Sequence, residues 1–507
     1  MMIVMSGIGV YTKAANTKAA QYVRVGISNY NYSSKVSLKN KKVALGYGTK
    51  TGFKEELRLE STSGFTFQPV LKSYMVSNTE YKTYATANSL VKKLKKQGAK
   101  AYVGILYHNK YKVYVNQSTY AKVQGLFGIS YTKNNKKYLT SVKGSENTLF
   151  IDVYKSKGYP QFAGLNSSGG TTTITVNKKK YRGRMEIGRY NKDSLTVVNV
   201  ANVEDYLKGV IACEMVDTWE MEALKAQAVC SRSLAYDMAG YTAVSNSDKA
   251  YKMDDTTSCQ VYGGVARETK RTSQAVKATK GKRVYYKGKV VPAYFFSTSG
   301  GATEEMKYVW GGSAGYLKSV LDPEERFPEK EPWIYSFTKS NIKSRVGGIG
   351  NIKSVKVSTY TKSGRAYKVK VTGASGSKTL VKQQGRTTFG LPSNKFKVIN
   401  YGDKPDQVSV ESAGGTTTKK ISSCYTISGS GTVKKSSSKL EQYIAISDKT
   451  MTNFPRKAPA SKNTVYLAGM GFGHGVGMSQ SGANGLAMKG YDYEDIIRHY
   501  FTDVVVK

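Results

Sequence analysis

Alternation of apolar and polar residues with a period of two dominates the chain. It recurs in YVRVGIS (22–28), KVSLKNKKVAL (35–45), YVGILYH (102–108), YKVYVNQ (111–117), TTTITV (171–176) and SLTVVNV (194–200). It returns in RVYYKGKVV (283–291), AYFFSTSGG (293–301), SVKVSTY (354–360) and AYKVKVTG (366–373). Such alternation predicts half-buried strands. Three stretches carry helical spacing instead. In 83–97 the apolar residues Ala87, Leu90, Val91 and Leu94 fall on one face and lysines on the other. From Asp217 to Met238, Leu224, Ala228 and Ala235 line a face. Asp217 and Glu220 resemble a capping box at its start, and Gly240 is a C-cap candidate. The third is an amphipathic helix from Tyr493 to Phe501. Strands far outnumber helices, so the expected fold class is α+β and β-rich. It has a mixed or antiparallel sheet core, the helix at 217–238 and a small inserted α+β module.

The length, 507 residues, corresponds to about three domains at roughly 150 residues each. Residues 412–440 are rich in Ser, Gly, Thr and Lys and read as a flexible insertion. No run of eighteen apolar residues is present, so no membrane-spanning helix is expected. Residues 1–21 begin with an apolar stretch that lacks a basic flank. Ala14, Ala15, Ala19 and Ala20 offer small-residue cleavage sites, which leaves the segment open between a truncated leader and an ordinary terminus. Four cysteines, Cys213, Cys230, Cys259 and Cys424, are too few for a disulfide scaffold in so long a chain.

Charge changes the picture more. Lys and Arg number 78 against 35 acidic residues, a net charge of +43. A solvated surface accounts for part of this, and a polyanionic partner such as an anionic wall polymer or membrane face for the rest. Nucleic acid is disfavoured, because no zinc-finger spacing, RNP-type aromatic motif or phosphate loop occurs.

Four places could carry chemistry. Glu214 ends the apolar run Val210-Ile211-Ala212, where a carboxyl group becomes a candidate general acid; a surface or capping role is the alternative. Lys225 and Arg232 are seven apart, with Tyr236 one turn on, so they share a helix face suited to an anionic or hydroxyl-rich ligand, or simply to solvent. His474 stands among four glycines in GFGHGVG (471–477), which permits close backbone approach to a ligand. His499 and His108 read as structural and as an exposed turn residue, respectively. Ser299-Gly300-Gly301 at a strand end suggests a ligand-contacting turn or an ordinary one. It lacks the G-x-S-x-G form, which disfavours a serine hydrolase.

These motifs, in order, resemble the stage II sporulation protein D family and its relative, the amidase enhancer. The resemblance rests on VVNVANVEDYLKGVIACEM (197–215), EALKAQAVCSRSLAY (222–236), CQVYGG (259–264), AYFFSTSGGATEE (293–305), VWGGSAGYLKSVLDP (309–323), RTTFGLPSNKF (386–396) and GFGHGVGMSQSGANGLA (471–487). It implies a lytic transglycosylase that cleaves peptidoglycan glycan strands, preferably peptide-stripped by a partner amidase, to 1,6-anhydro ends. It implies an extracytoplasmic place in the cell envelope and a role in engulfment during sporulation. Glu214 is then the catalytic residue, and Lys225, Gln227, Arg232, Tyr236, Ser299, Gly300, His474, Ser479 and Gln480 are the substrate contacts. The competing readings are a non-catalytic activator of an amidase and a basic wall-polymer binder. Some members bind zinc through a His and Cys cluster before the CQVYGG segment. Here Cys259 has no neighbouring His and no following Cys, so no metal or other cofactor is expected.

The implied organisation is N-terminal strands at 22–69, a catalytic core at 145–338 and 441–507, and a β-rich subdomain at 339–411. Residues 70–123 resemble the SPOR module, which binds denuded glycan. Tyr102, Tyr107, Tyr111 and Tyr114 would then either stack on sugars or fill a small core.

Overall fold

The computed structural model describes residues 22–30, 33–49, 52–107, 110–134, 139–145, 147–152, 159–189, 194–238, 251–325, 333–403 and 458–507, and short strands between 407 and 452 by backbone alone. Residues 1–21, His108, Gly240 and Cys424 lie outside these, and so do the expectations attached to them. The fold is α+β and rich in strands. Among the described residues no helix is long and apolar enough to cross a membrane.

The chain divides into two units. The first to be described holds residues 14–217 and 231–280. One of its sheets has eight strands, ordered Met253–Asp254, Tyr22–Gly26, Thr196–Asn202, Arg184–Gly188, Gln161–Leu165, Lys42–Gly48, Phe53–Glu60, with Thr171–Thr172 on Gln161–Leu165. Tyr22–Gly26 pairs antiparallel with Thr196–Asn202, Val25 opposite Asn199, so the N-terminal strands are built into the core sheet. The run 35–45 is not one strand but two, Val36–Leu38 and Lys42–Gly48, in different sheets.

A second sheet of ten strands takes in the expected module. Helix α1 (Tyr84–Lys96) begins at Thr83, whose side chain accepts from Thr86 N–H, and buries Ala87, Leu90, Val91 and Leu94. It packs on strands Ala101–Tyr107 and Lys110–Asn116. Tyr111 and Tyr114 are core residues, and Tyr102 stacks on Phe150 at 4.7 Å. These three rings are engaged by the protein itself. The module's strands continue into Thr148–Ile151, Thr140–Lys143 and Phe65–Pro69, so it has no sheet of its own.

Helix α2 (Val203–Glu214) follows Thr196–Asn202 without a loop. Asn202 caps it by accepting from Glu204 N–H, Glu204 and Asp205 fill its first turn, and Val203, Tyr206, Leu207, Val210 and Ile211 face inward. The strand-like alternation read up to residue 200 masks this helix in the sequence. Helix α3 (Met221–Met238) starts four residues later than Asp217, because residues 217–220 form a turn. Its two ends belong to different units.

The second unit holds residues 218–230 and 281–507. Its apolar core gathers Trp333, Phe337, Val369, Val371, Phe389, Phe396 and Leu467. These come from the sheet Trp333–Thr338, Thr464–Gly469, Phe396–Ile399, from the meander Ile352–Tyr360, Ala366–Gly373, Gly376–Val381 and, for Phe389, from the short helix Gln384–Phe389. The segment read as a flexible insertion contains hairpins where it is described. Gln407–Ser412 pairs with Gly415–Lys420, and Tyr425–Ile427 with Val433–Lys435. Val408 and Val410 in one strand and Thr416, Thr417 and Thr418 in its partner supply the β-propensity there that composition alone obscures.

Candidate functional site

In the first unit, Glu214 is the last residue of α2 and is half-buried. Its Oε1 accepts the Val261 N–H at 2.6 Å. The donor is placed by the segment 259–264. Tyr262 is buried against Tyr206 and donates its hydroxyl to Asn199 Oδ1 at 2.9 Å, and Gly263 N–H donates to the Gly209 carbonyl. Gly209 has to be glycine. A Cβ there would stand 2.7 Å from the Tyr262 ring and 2.9 Å from the Gly264 carbonyl. Helix α2 and this segment therefore lock together through one glycine, and the lock aims a backbone N–H at the carboxylate. Burial first, then the neighbouring Cys259, Tyr262, Glu214 and Asp254, raises the Tyr206 hydroxyl well above its ordinary value. Burial also raises the Cys213 thiol, with Arg267 opposing, so this thiol beside Glu214 stays protonated.

Arg232 lies in the same unit and is fully buried. Its Nε and Nη2 grip Glu204 at 2.9 and 2.8 Å, and Nη2 also reaches the Val276 carbonyl at 3.3 Å. The sequence placed Arg232 on an open face. The structure spends its charge on Glu204, the second residue of α2. The fork geometry is what lysine lacks. Arg232→Lys is expected to cost about 2 kcal/mol and lower Tm by about 5 °C, read by thermal unfolding at neutral pH. Tyr236 is half-buried one turn on.

In the second unit, Lys225 pairs with Glu222 at 2.6 Å, and its amine stands 5.9 Å from the Tyr493 ring. Glu222 also accepts from Tyr493 N–H at 3.1 Å. Gln227 is fully buried and accepts from Gln480 Nε2 at 3.3 Å. His474 is held between Phe296 and Trp310, centroids 5.5 and 4.9 Å away. Its Nδ1 accepts from Val476 N–H at 3.1 Å, and the ring also bonds the Phe295 backbone. Burial, with Arg386 and Arg365 adding, holds it down to about 3, so the imidazole is neutral. The glycines around it serve packing: a Cβ on Gly475 would lie 2.6 Å from the Arg365 guanidinium.

Ser299, Gly300 and Ser479 converge on a residue the sequence reading passed over, Glu325. Its carboxylate is buried and accepts the N–H groups of Ser299, Gly300 (2.7 Å) and Gly301 (3.1 Å) and the hydroxyls of Ser299 (3.1 Å) and Ser479 (2.7 Å). Gly300 and Gly301 adopt φ of +72° and +99°, which turns their N–H groups inward. Asp322 shares the turn and accepts the Tyr500 hydroxyl at 2.7 Å. Burial and, second, the Glu325 charge push Asp322 up to about 7. The folded protein thus holds a proton that the unfolded chain, with its ordinary value of 3.8, has released. Stability is expected to fall as pH rises from about 4 to about 7 and then level off. Asp322→Asn should flatten that slope in urea melts taken across the range.

Among the described residues no group of three or more His, Cys, Asp or Glu side chains is gathered as a metal requires. Cys259 Sγ accepts from Asp254 N–H within its own turn.

Residues 191–286 match the family model described as Stage II sporulation protein. The chain is 28% identical over 367 residues to an uncharacterised protein of Brachyspira hyodysenteriae, covering 71% of this chain and 80% of that one. It is 28% identical over 323 residues to Stage II sporulation protein D of Bacillus subtilis, covering 62% and 76%. Over residues 191–286 the chain thus matches the Stage II sporulation protein model, and along most of its length it is similar to Stage II sporulation protein D. It is also 29% identical over 303 residues to the amidase enhancer of Bacillus subtilis, covering 58% of this chain but 39% of that protein.

The family-matched stretch contains Glu214, Lys225, Gln227, Arg232 and Tyr236, together with the α2 clamp that orients Glu214. Ser299, Gly300, His474, Ser479 and Gln480 lie beyond it. The sequence reading missed Glu204, Asp322, Glu325 and Tyr500. Glu204 had a visible signal, an acidic residue two after a capping Asn. Glu325 had none, because its donors, three backbone N–H groups and two hydroxyls, lie far away in sequence.

Proposed function

We propose that the protein cleaves peptidoglycan glycan strands as a lytic transglycosylase, with Glu214 as its single acid and base. The observation that carries the proposal is Glu214 itself, half-exposed at the end of α2 and held by the Val261 N–H. A helix end braced by a tyrosine and a glycine fixes a carboxyl group in one rotamer, which proton transfer to a bound sugar requires.

In the reaction Glu214 gives its proton to the glycosidic oxygen as the C1–O4 bond breaks. It then takes the proton of the C6 hydroxyl as O6 bonds to C1 and closes the 1,6-anhydro ring. Donor and acceptor are one group, so the paired carboxylates of a glycosidase are not needed. Tyr236, half-buried on α3, is the proposed sugar contact of the same unit. Within its own unit Lys225 is the proposed cation for the glycan. Arg232 acts on the site through Glu204 and α2, as a positioning residue. The setting we propose is the cell envelope of a sporulating cell, with an amidase as the partner that strips the strands.

A second reading is favoured by the identity to the amidase enhancer. There the protein binds wall and stimulates an amidase without cutting glycan. Mass spectrometry of peptide-free glycan strands after incubation separates the two. New 1,6-anhydro ends support the transglycosylase. Their absence, on strands a control enzyme cleaves, with amidase stimulation retained, supports the enhancer.

A further inference from the structure

Residues 81–145 contain 13 lysines and no acidic residue, a concentration of the chain's positive charge that the reaction at Glu214 does not use. Helix α1 exposes Lys92, Lys93, Lys95 and Lys96 in its second half. Lys122 reaches the helix C-terminus, its Nζ 3.4 Å from where a Cβ on Gly98 would stand. Beside them the chain makes a tip, Gly125-Leu126-Phe127-Gly128. Leu126 and Phe127 are 37% and 47% exposed, and the Lys93 amine lies 6.0 Å from the Phe127 ring.

Phe127 is held at φ 60°, ψ 17°, between glycines at φ +77° and +63°. The other non-glycine residues with positive φ among those described are Asn177, Lys287, Lys382 and Asp503, all polar. A bulky aromatic side chain in left-handed backbone is disfavoured, and here the ring stays 47% exposed, so burial repays only part of that cost.

We propose that the α1 face and the Leu126–Phe127 tip form a docking surface for an anionic lipid bilayer. The lysines would meet phosphate headgroups, their aliphatic stems lying along the interface, while the two apolar side chains enter the headgroup–acyl boundary. A hydrophilic polyanion would satisfy the lysines but has no use for an exposed Leu–Phe pair, and this favours lipid over wall polymer. The inference is independent of the proposed glycan cleavage. It would place the unit carrying Glu214 at a membrane face.

The test is co-sedimentation of the full chain with vesicles of phosphatidylcholine, alone or mixed equally with phosphatidylglycerol. The expected result is binding to the mixed vesicles only. It should weaken about a hundredfold when Lys92, Lys93, Lys95 and Lys96 become Gln, and about tenfold for Leu126→Ser with Phe127→Ser. Phe127→Gly should also lose binding without lowering Tm, since glycine accepts the backbone angle. Phe127→Trp should bind and shift its emission to the blue on adding the anionic vesicles. Absence of vesicle binding overturns the proposal. So does equal binding by the tip variant and the parent, which would mark the patch as a simple polyanion site.

Discussion

Glu214→Gln is expected to lower glycan-strand cleavage about a thousandfold, a loss of about 4 kcal/mol in transition-state stabilisation. The amide is isosteric, and its carbonyl oxygen still accepts the Val261 N–H. Helix α2 keeps its cap and inward face, so Tm and strand binding should hardly move. What the amide lacks is the proton for the leaving oxygen and the basic lone pair for the C6 hydroxyl. Both halves of the proposed reaction fail together, and the effect should therefore appear in kcat rather than KM. Glu214→Asp withdraws the carboxyl group by one methylene and should fall between. Cleavage by the Gln variant within tenfold of the parent would remove Glu214 from the chemistry. Unchanged amidase stimulation in both proteins, with no cleavage in either, would decide for the enhancer reading.

Much of the architecture is legible in the pattern of residues, and the exceptions have physical causes. Helix α1 was readable to within a residue at each end, because its cap, its apolar spacing and its lysine face all agree. Helix α2 has equally good signals in Asn202, Glu204 and the inward set Val203, Tyr206, Leu207, Val210 and Ile211. It was hidden because a strand runs into it with no turn residue between, so the alternation of 196–202 seemed to continue. Glu214 stood out as a candidate from its apolar approach and from the family resemblance. The Val261 N–H that holds it was not visible, since that depends on Gly209 and Tyr262 meeting in space.

Arg232 illustrates the limit of face arithmetic. Seven residues from Lys225, it shares a side of an ideal helix, yet one cation is buried on Glu204 and the other is half-exposed beside Glu222. Spacing gives direction around an axis and says nothing about what is packed there. The same holds for His474. Its glycine neighbours suggested room for a ligand, and the structure fills that room with Arg365, Phe296 and Trp310.

Glu325→Ala is expected to destabilise its unit by about 4 kcal/mol and to lower Tm by about 10 °C. Five donors point at this carboxylate: three backbone N–H groups and two hydroxyls. The hydroxyls can rotate to other acceptors and the Gly301 N–H also donates to Ser299 Oγ at 3.0 Å, but the N–H groups of Ser299 and Gly300 lose the carboxylate they point at. Each buried orphan costs about 1–3 kcal/mol. Asp322 offsets part of the loss, because it sheds a like charge that helps hold it up to about 7. Glu325→Gln should be nearly as harmful, since its NH2 would face donors. This separates two roles for the Ser299 turn. If the turn exists to bind Glu325, Ser299→Ala lowers Tm by a few degrees and leaves KM for glycan alone. If the turn also touches substrate, as the family resemblance implies, KM rises in the same variant by more than its fraction unfolded explains. A Glu325→Ala protein that melts within a degree or two of the parent would refute the structural role, because the buried N–H groups of Ser299 and Gly300 cannot lose their acceptor without cost.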